Sequence, residues 1–84
     1  MRTTCLECVT KHLGQAIILA HEVPDYPNHY MLAIGHLAEA EAESIQLYPE
    51  MQQSIREIRL SYMESRVLDV EALFTVFCAI ESLK

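Results

Sequence analysis

The sequence predicts an all-α chain, folded as an up-and-down bundle of three or four antiparallel helices, and three observations carry that prediction. Apolar residues recur at three- and four-residue spacing over most of the chain. The 84 residues hold only two glycines and three prolines, and the prolines fall between the periodic stretches. Nothing alternates convincingly as a strand: Glu39-Ala40-Glu41-Ala42-Glu43 has period two, but Ala and Glu are strong helix formers set inside a helical stretch.

The first helix is expected from about Thr4 to Glu22, stopped by Val23-Pro24-Asp25-Tyr26-Pro27. Its apolar face gathers Cys5, Cys8, Val9, His12, Leu13, Ala16, Ile17, Leu19 and Ala20, while Glu7, Lys11, Gln15 and Glu22 lie opposite. Ile18 stands alone among those polar residues and is placed to touch a partner. Asn28 suits the N-cap of a second helix that ends near Leu47, before Tyr48-Pro49. Met31, Leu32, Ile34, Leu37, Ala38 and Ile45 make that helix apolar around most of its circumference, with a narrow acidic sector at Glu39, Glu43 and Gln46. A helix so little wetted is either central to the bundle or shared with another subunit.

Pro49 fits the first turn of a third helix reaching about Arg66. Asp69 can cap a fourth from Val70 to Leu83, although neither Gly nor Pro separates the last two, so one bent helix is the other reading. Val70, Leu73, Phe74, Val76, Phe77, Ile80 and Leu83 are expected to supply the bulkiest part of the core.

A chain of this length makes one domain, residues 1–84, near the lower limit for a single apolar core. Hydrophobic residues reach 51%, and the surplus is expected to be buried against a second copy, giving a homo-oligomer. The net charge of −6 argues against general DNA or RNA binding, which needs a basic footprint. No apolar run approaches the ~20 residues that span a bilayer, so no membrane association is expected. Met1 to Cys5 leads into an amphipathic helix and not into a signal peptide's apolar region. Three cysteines cannot complete a disulfide framework, which fits a reducing, cytosolic setting.

Three segments carry a likeness. Cys5-Leu6-Glu7-Cys8-Val9-Thr10-Lys11-His12-Leu13, Tyr26-Pro27-Asn28-His29, and Ala33-Ile34-Gly35-His36-Leu37-Ala38-Glu39-Ala40-Glu41 resemble the paired motifs of small, largely uncharacterised phage-encoded helical proteins. The resemblance covers the first half of the chain and brings no residue roles with it. It implies a context: the bacterial cytoplasm, and a protein that binds and neutralises a host component.

The residues themselves offer three clusters. Cys5, Cys8 and His12 fall within a ~60° arc of the first helix. Two thiols and an imidazole are soft, zinc-type ligands, and an antiparallel second helix would bring His36 or Glu39 level with His12 as the fourth. The metal set is therefore Cys5, Cys8, His12 and His36 holding a structural zinc; the plain alternative is two small buried hydrophobes and a satisfied core histidine. His29 and His36 share one face of the second helix and, with His12, could line a small polar pocket, or be buried imidazoles bonded to backbone or carboxylate. Arg56, Arg59 and Arg66 lie on one flank of the third helix beside Tyr62. That chemistry grips phosphate and stacks a base, unless the arginines pair with the Glu39-Glu41-Glu43 stretch.

No Ser-His-Asp pattern, glycine-rich phosphate loop or paired Glu-x-x-His suggests an enzyme. The expected function is non-enzymatic binding in one of two forms. In the first, the chain is a sponge that sequesters a small anionic, nucleotide-like ligand (an immune signal) between subunits through Lys11, Tyr26, Arg56, Arg59, Tyr62 and Arg66. In the second, it is an inhibitor or adaptor that meets a host protein through the acidic sector of the second helix and apolar residues such as Ile18 and Leu60.

Overall fold

A computed structural model describes residues 6–44 and 49–83, so Cys5, Ile45, Gln46, Leu47 and Tyr48 lie outside the described residues. Four helices and no strand appear among them: α1 (Leu6–Glu22), α2 (His29–Ser44), α3 (Pro49–Ser65) and α4 (Val70–Glu81). Helix α1 packs on α2 and α4, and α3 packs on α2 and α4, closing a four-cornered bundle. The α1–α2 contact is the most extensive.

Small residues explain that closeness. Ala16 on α1 and Ala33 and Ala40 on α2 are fully buried beside Val9, Leu13 and Leu37. Methyl side chains let the two helix axes approach, and the larger aliphatics fill the space between layers. Side-chain pairs fix the direction: His12 meets His36 and Glu22 meets His29, so α1 and α2 run antiparallel. Tyr30 against Tyr62 and Glu41 against Arg59 do the same for α2 and α3. Ile55, Ile58 and Tyr62 of α3, Leu68 of the connection, and Leu73 and Ile80 of α4 complete the core.

The ends of the helices follow local chemistry. Asp69 accepts a bond from the Ala72 amide at 3.0 Å, which caps α4 as the sequence predicts. At the start of α2 the cap differs from expectation. The Tyr30 amide, which an Asn28 side chain would hold, goes to the Pro27 carbonyl at 3.2 Å, and the His29 amide to Tyr26 at 2.9 Å. The two-proline turn already aims its carbonyls at those donors.

Helices α3 and α4 are separate, which settles the boundary the sequence left open. Arg66 adopts φ 62°, the left-handed conformation that ends a helix and that glycine normally supplies. Its amide reaches back to the Tyr62 carbonyl at 2.8 Å. Its guanidinium lies 4.3 Å from the centre of the Tyr30 ring, a cation–π contact that holds the unusual residue in place.

One expectation about the core is corrected. Only Leu73 and Ile80 of α4 are deeply buried, whereas Val70, Phe74 and Leu83 are exposed and Val76 and Phe77 are half-buried. A corner helix with two neighbours can bury only the arc between them, and the apolar arc of α4 is wider than that. Phe74 and Phe77 stack on each other, ring centroids 6.1 Å apart, beyond the core's edge.

Candidate binding site

A concavity of about 740 Å³ opens at the end of the bundle where α1 stops and α3 turns into α4. Ile17, Ile18, Val23, Val67, Leu68 and Val70 make its wall mainly aliphatic, and Arg66, His21 and Tyr62 supply the polar edge. Local structure explains why it stays open. Pro24 ends α1, and the left-handed Arg66 swings residues 67–69 away before α4 begins, so two chain ends diverge around a gap. Ile18, Val67, Val70 and Phe74 are all exposed on this side of the molecule.

Arg66 and Tyr62 are thus brought to the groove, and the other expected ligand contacts are not. Arg59 donates from Nε to Glu41 Oε2 at 2.8 Å, and Arg56 Nε lies 3.2 Å from Glu41 Oε1. Gln52 Nε2 donates to the same Oε1 at 3.3 Å. Glu41 is buried, so these three side chains form a lid over one desolvated carboxylate on the α2–α3 side. The ion-pair alternative weighed for the arginines is therefore what this geometry contains, concentrated on Glu41 alone of the acidic stretch. Tyr26 stacks on His29 with ring centroids 5.0 Å apart, at the α1–α2 turn. Lys11 is exposed on α1 and lies outside the groove's lining.

The histidines also separate. His12 Nδ1 and His36 Nδ1 are 2.8 Å apart across the α1–α2 contact, so one ring donates its proton to the other's lone pair. Burial holds His36 below the ordinary imidazole value, the neighbouring His12 acts in the same direction, and Glu39 opposes both. His29 sits about two turns earlier, at the start of α2, where its Nδ1 meets Glu22 Oε1 at 3.1 Å. No common pocket gathers all three rings.

For zinc, Cys5 lies outside the described residues, and Cys8 is half-buried one turn before His12. Among the described residues no three His, Cys, Asp or Glu side chains are grouped as a metal site. The two Nδ1 atoms are closer than ligands of one tetrahedral zinc, which bonds of 2.0–2.1 Å set about 3.3 Å apart. The third cysteine, Cys78, is exposed on α4.

Sequence reasoning missed two features. Glu41 was one of three acids in the Glu39-Glu41-Glu43 stretch, and the sequence did not single it out as the one that bonds to α3. Tyr30 was assigned nothing, yet it packs edge-on against Tyr62 (centroids 4.9 Å) and carries Arg66. Burial pushes the Tyr62 hydroxyl above its ordinary value, Tyr30 adds to this, and Arg66 opposes it. Comparison with known proteins finds no family model, no curated protein and no solved structure that matches the chain. No helix among the described residues is long and apolar enough to cross a membrane.

Proposed function

We propose that the chain is a non-enzymatic binding protein, and that its target is another protein which inserts an amphipathic helix into the groove between the ends of α1, α3 and α4. The observation that carries this reading is the groove's lining: an aliphatic wall of 740 Å³ with Arg66 and His21 at its edge. Helix-in-groove recognition uses apolar anchors at i, i+3, i+4 and i+7, and this volume takes several such side chains. Glu22 also lines the groove, but its carboxylate meets His29, so Arg66 and His21 leave the edge suited to a carboxylate on the incoming helix. In the phage setting that the motif resemblance implies, the partner is a host protein and binding neutralises it.

A nucleotide-like ligand is the second reading, favoured by Arg66 and Tyr62 sharing the groove. It loses support from Arg56 and Arg59, whose charge is already met by Glu41. Titration monitored by amide NMR separates the two. Synthetic amphipathic helices flanked by Glu should shift the signals of Ile18, Val67 and Val70, Lys-flanked versions should not, and Val70→Glu should abolish the response. A panel of linear and cyclic nucleotides that shifts those signals, with peptides inert, would reverse the assignment. A ligand at 100 times its Kd would also add about 2.7 kcal/mol of stability.

A further inference from the structure

The outer face of α2 is the unexplained surface of this bundle. Its exposed positions are Met31, Leu32, Gly35, Ala38, Glu39 and Ala42, with one charge among them. The outer faces of α1 and α3 read differently, showing Glu7, Lys11 and Gln15 on one and Glu50, Gln53 and Glu57 on the other. The α2–α3 register set by Tyr30–Tyr62 and Glu41–Arg59 brings Leu60 and Met63 level with the N-terminal half of α2. Met31, Leu32, Leu60 and Met63 are between 45% and 67% exposed, large values for apolar side chains.

Gly35 sharpens the point. A glycine within a helix destabilises it by roughly 0.5–1 kcal/mol relative to alanine. Nothing in the chain asks for one here, since a Cβ added at Gly35 meets no atom within 4 Å. The same holds at Gly14, so the open space alone names no partner; at Gly35 it lies on the exposed face of α2, where a second helix has room to approach closely.

From this we infer that two copies of the chain pair through the outer faces of α2, antiparallel, about a two-fold axis near Gly35. The face is bulky at its N-terminal end (Met31, Leu32) and small at its C-terminal end (Ala38, Ala42). A two-fold at Gly35 sets Leu32 of each copy level with Ala38 of the other and Met31 level with the long, flexible Glu39, so each large apolar side chain has room opposite it, as an isologous interface needs. Charge agrees: a parallel pairing would set the two Glu39 side chains together, whereas the antiparallel one separates them by about 12 Å along the helices, beyond the Debye length of about 8 Å at physiological salt. A foreign partner has no such reason to match bulk with small in mirror order.

Sedimentation equilibrium of the intact chain tests this. Between about 5 and about 500 μM, the mass should rise from 9.6 kDa towards twice that value. Ala38→Glu and Gly35→Leu should each weaken pairing at least about tenfold, with the helical circular dichroism of the dilute protein unchanged. Leucine has better helix propensity than glycine and open space around it, so Gly35→Leu keeps the test readable if Ala38→Glu loses helix. Ile18→Ser, on the groove side, should leave pairing intact. A chain that stays monomeric throughout, a dimer indifferent to both α2 variants, or a dimer that Ile18→Ser dissociates would each overturn the inference. A monomeric chain, or a dimer indifferent to the α2 variants, leaves peptide binding in the groove untouched, and only dissociation by Ile18→Ser would implicate the groove, so the two readings fail separately.

Discussion

Removing the Glu41 carboxylate offers the clearest measurement of what holds α2 to α3. Its side chain is 11% exposed, as against 19% for Arg59 and 51% for Arg56. A hydrogen bond to a charged group in a partly buried setting contributes roughly 1.5–3 kcal/mol, and an exposed ion pair contributes about 0–1 kcal/mol. The 2.8 Å Arg59 bond therefore dominates, and the Arg56 and Gln52 contacts add little. Glu41→Ala should destabilise the fold by about 2–3 kcal/mol, Arg59→Ala by about 1.5–2.5, and Arg56→Ala by about 0.5 or less. An 84-residue domain supports only about 4–12 kcal/mol in total, so the first change is a large fraction. Urea unfolding followed by circular dichroism, run as two double-mutant cycles, isolates each pair. Coupling between Glu41 and Arg59 should be about 1–2 kcal/mol and that between Glu41 and Arg56 below about 0.5. Equal couplings, or a Glu41→Ala change within about 0.5 kcal/mol of neutral, would refute the reasoning that burial ranks these contacts.

Stability should also depend on pH through His36, whose affinity for a proton is lower in the folded chain than in the unfolded one. The unfolded state then takes up the extra proton, so the contribution is complete above about pH 6.5 and falls away as pH drops through that value towards the folded pKa. Urea midpoints at pH 7.5 and pH 5.5 should differ more for the parent than for His36→Gln; identical slopes would place the proton elsewhere. Gly14→Ala should raise stability by about 0.5–1 kcal/mol in the same assay, because the added methyl meets nothing within 4 Å in a helix interior; a loss would mean that α1 needs the gap. Metal content of tag-free protein should fall below about a tenth of an equivalent of zinc, with melting indifferent to chelator, if the His12–His36 bond is what the pair is for. Stoichiometric zinc that disappears in His36→Gln would show that the cysteines complete a site.

Periodicity and punctuation made most of the architecture readable. Pro24, Pro27 and Pro49 mark where helices cannot continue, and Asp69 marks where one begins, so those boundaries lie close to the expected ones. The approach of α1 to α2 was legible in Ala33 and Ala40, and the level of His36 against His12 followed from an antiparallel hairpin. What escaped depends on three dimensions. The turn at Arg66 uses a left-handed arginine, so no glycine announced it. Helical spacing marked seven apolar residues of the expected fourth helix as core, but it counts apolar positions without knowing how many neighbours a corner helix has. The sequence likewise offers Glu39-Glu41-Glu43 as one acidic stretch, while burial singles out Glu41, which bonds across to Arg59 of α3.

The groove is lined from α1, α4 and the end of α3, and the apolar outer face belongs to α2, so the two surfaces have different residues, with a consequence if both proposals hold. A pair joined through the outer faces of α2 keeps both grooves, so one dimer presents two identical sites. Such a particle binds a surface carrying many copies of its target far more tightly than one groove does, by about 10²–10⁴-fold where both sites can be engaged. Ala38→Glu, monomeric but with its groove intact, should keep single-site affinity for a Glu-flanked helical peptide in solution and lose the slow dissociation from a surface dense in that peptide. Val70→Glu should lose both. If Ala38→Glu instead leaves the surface as slowly as the parent chain, the grooves do not act as a pair, and the acid-poor face of α2 serves some contact other than assembly.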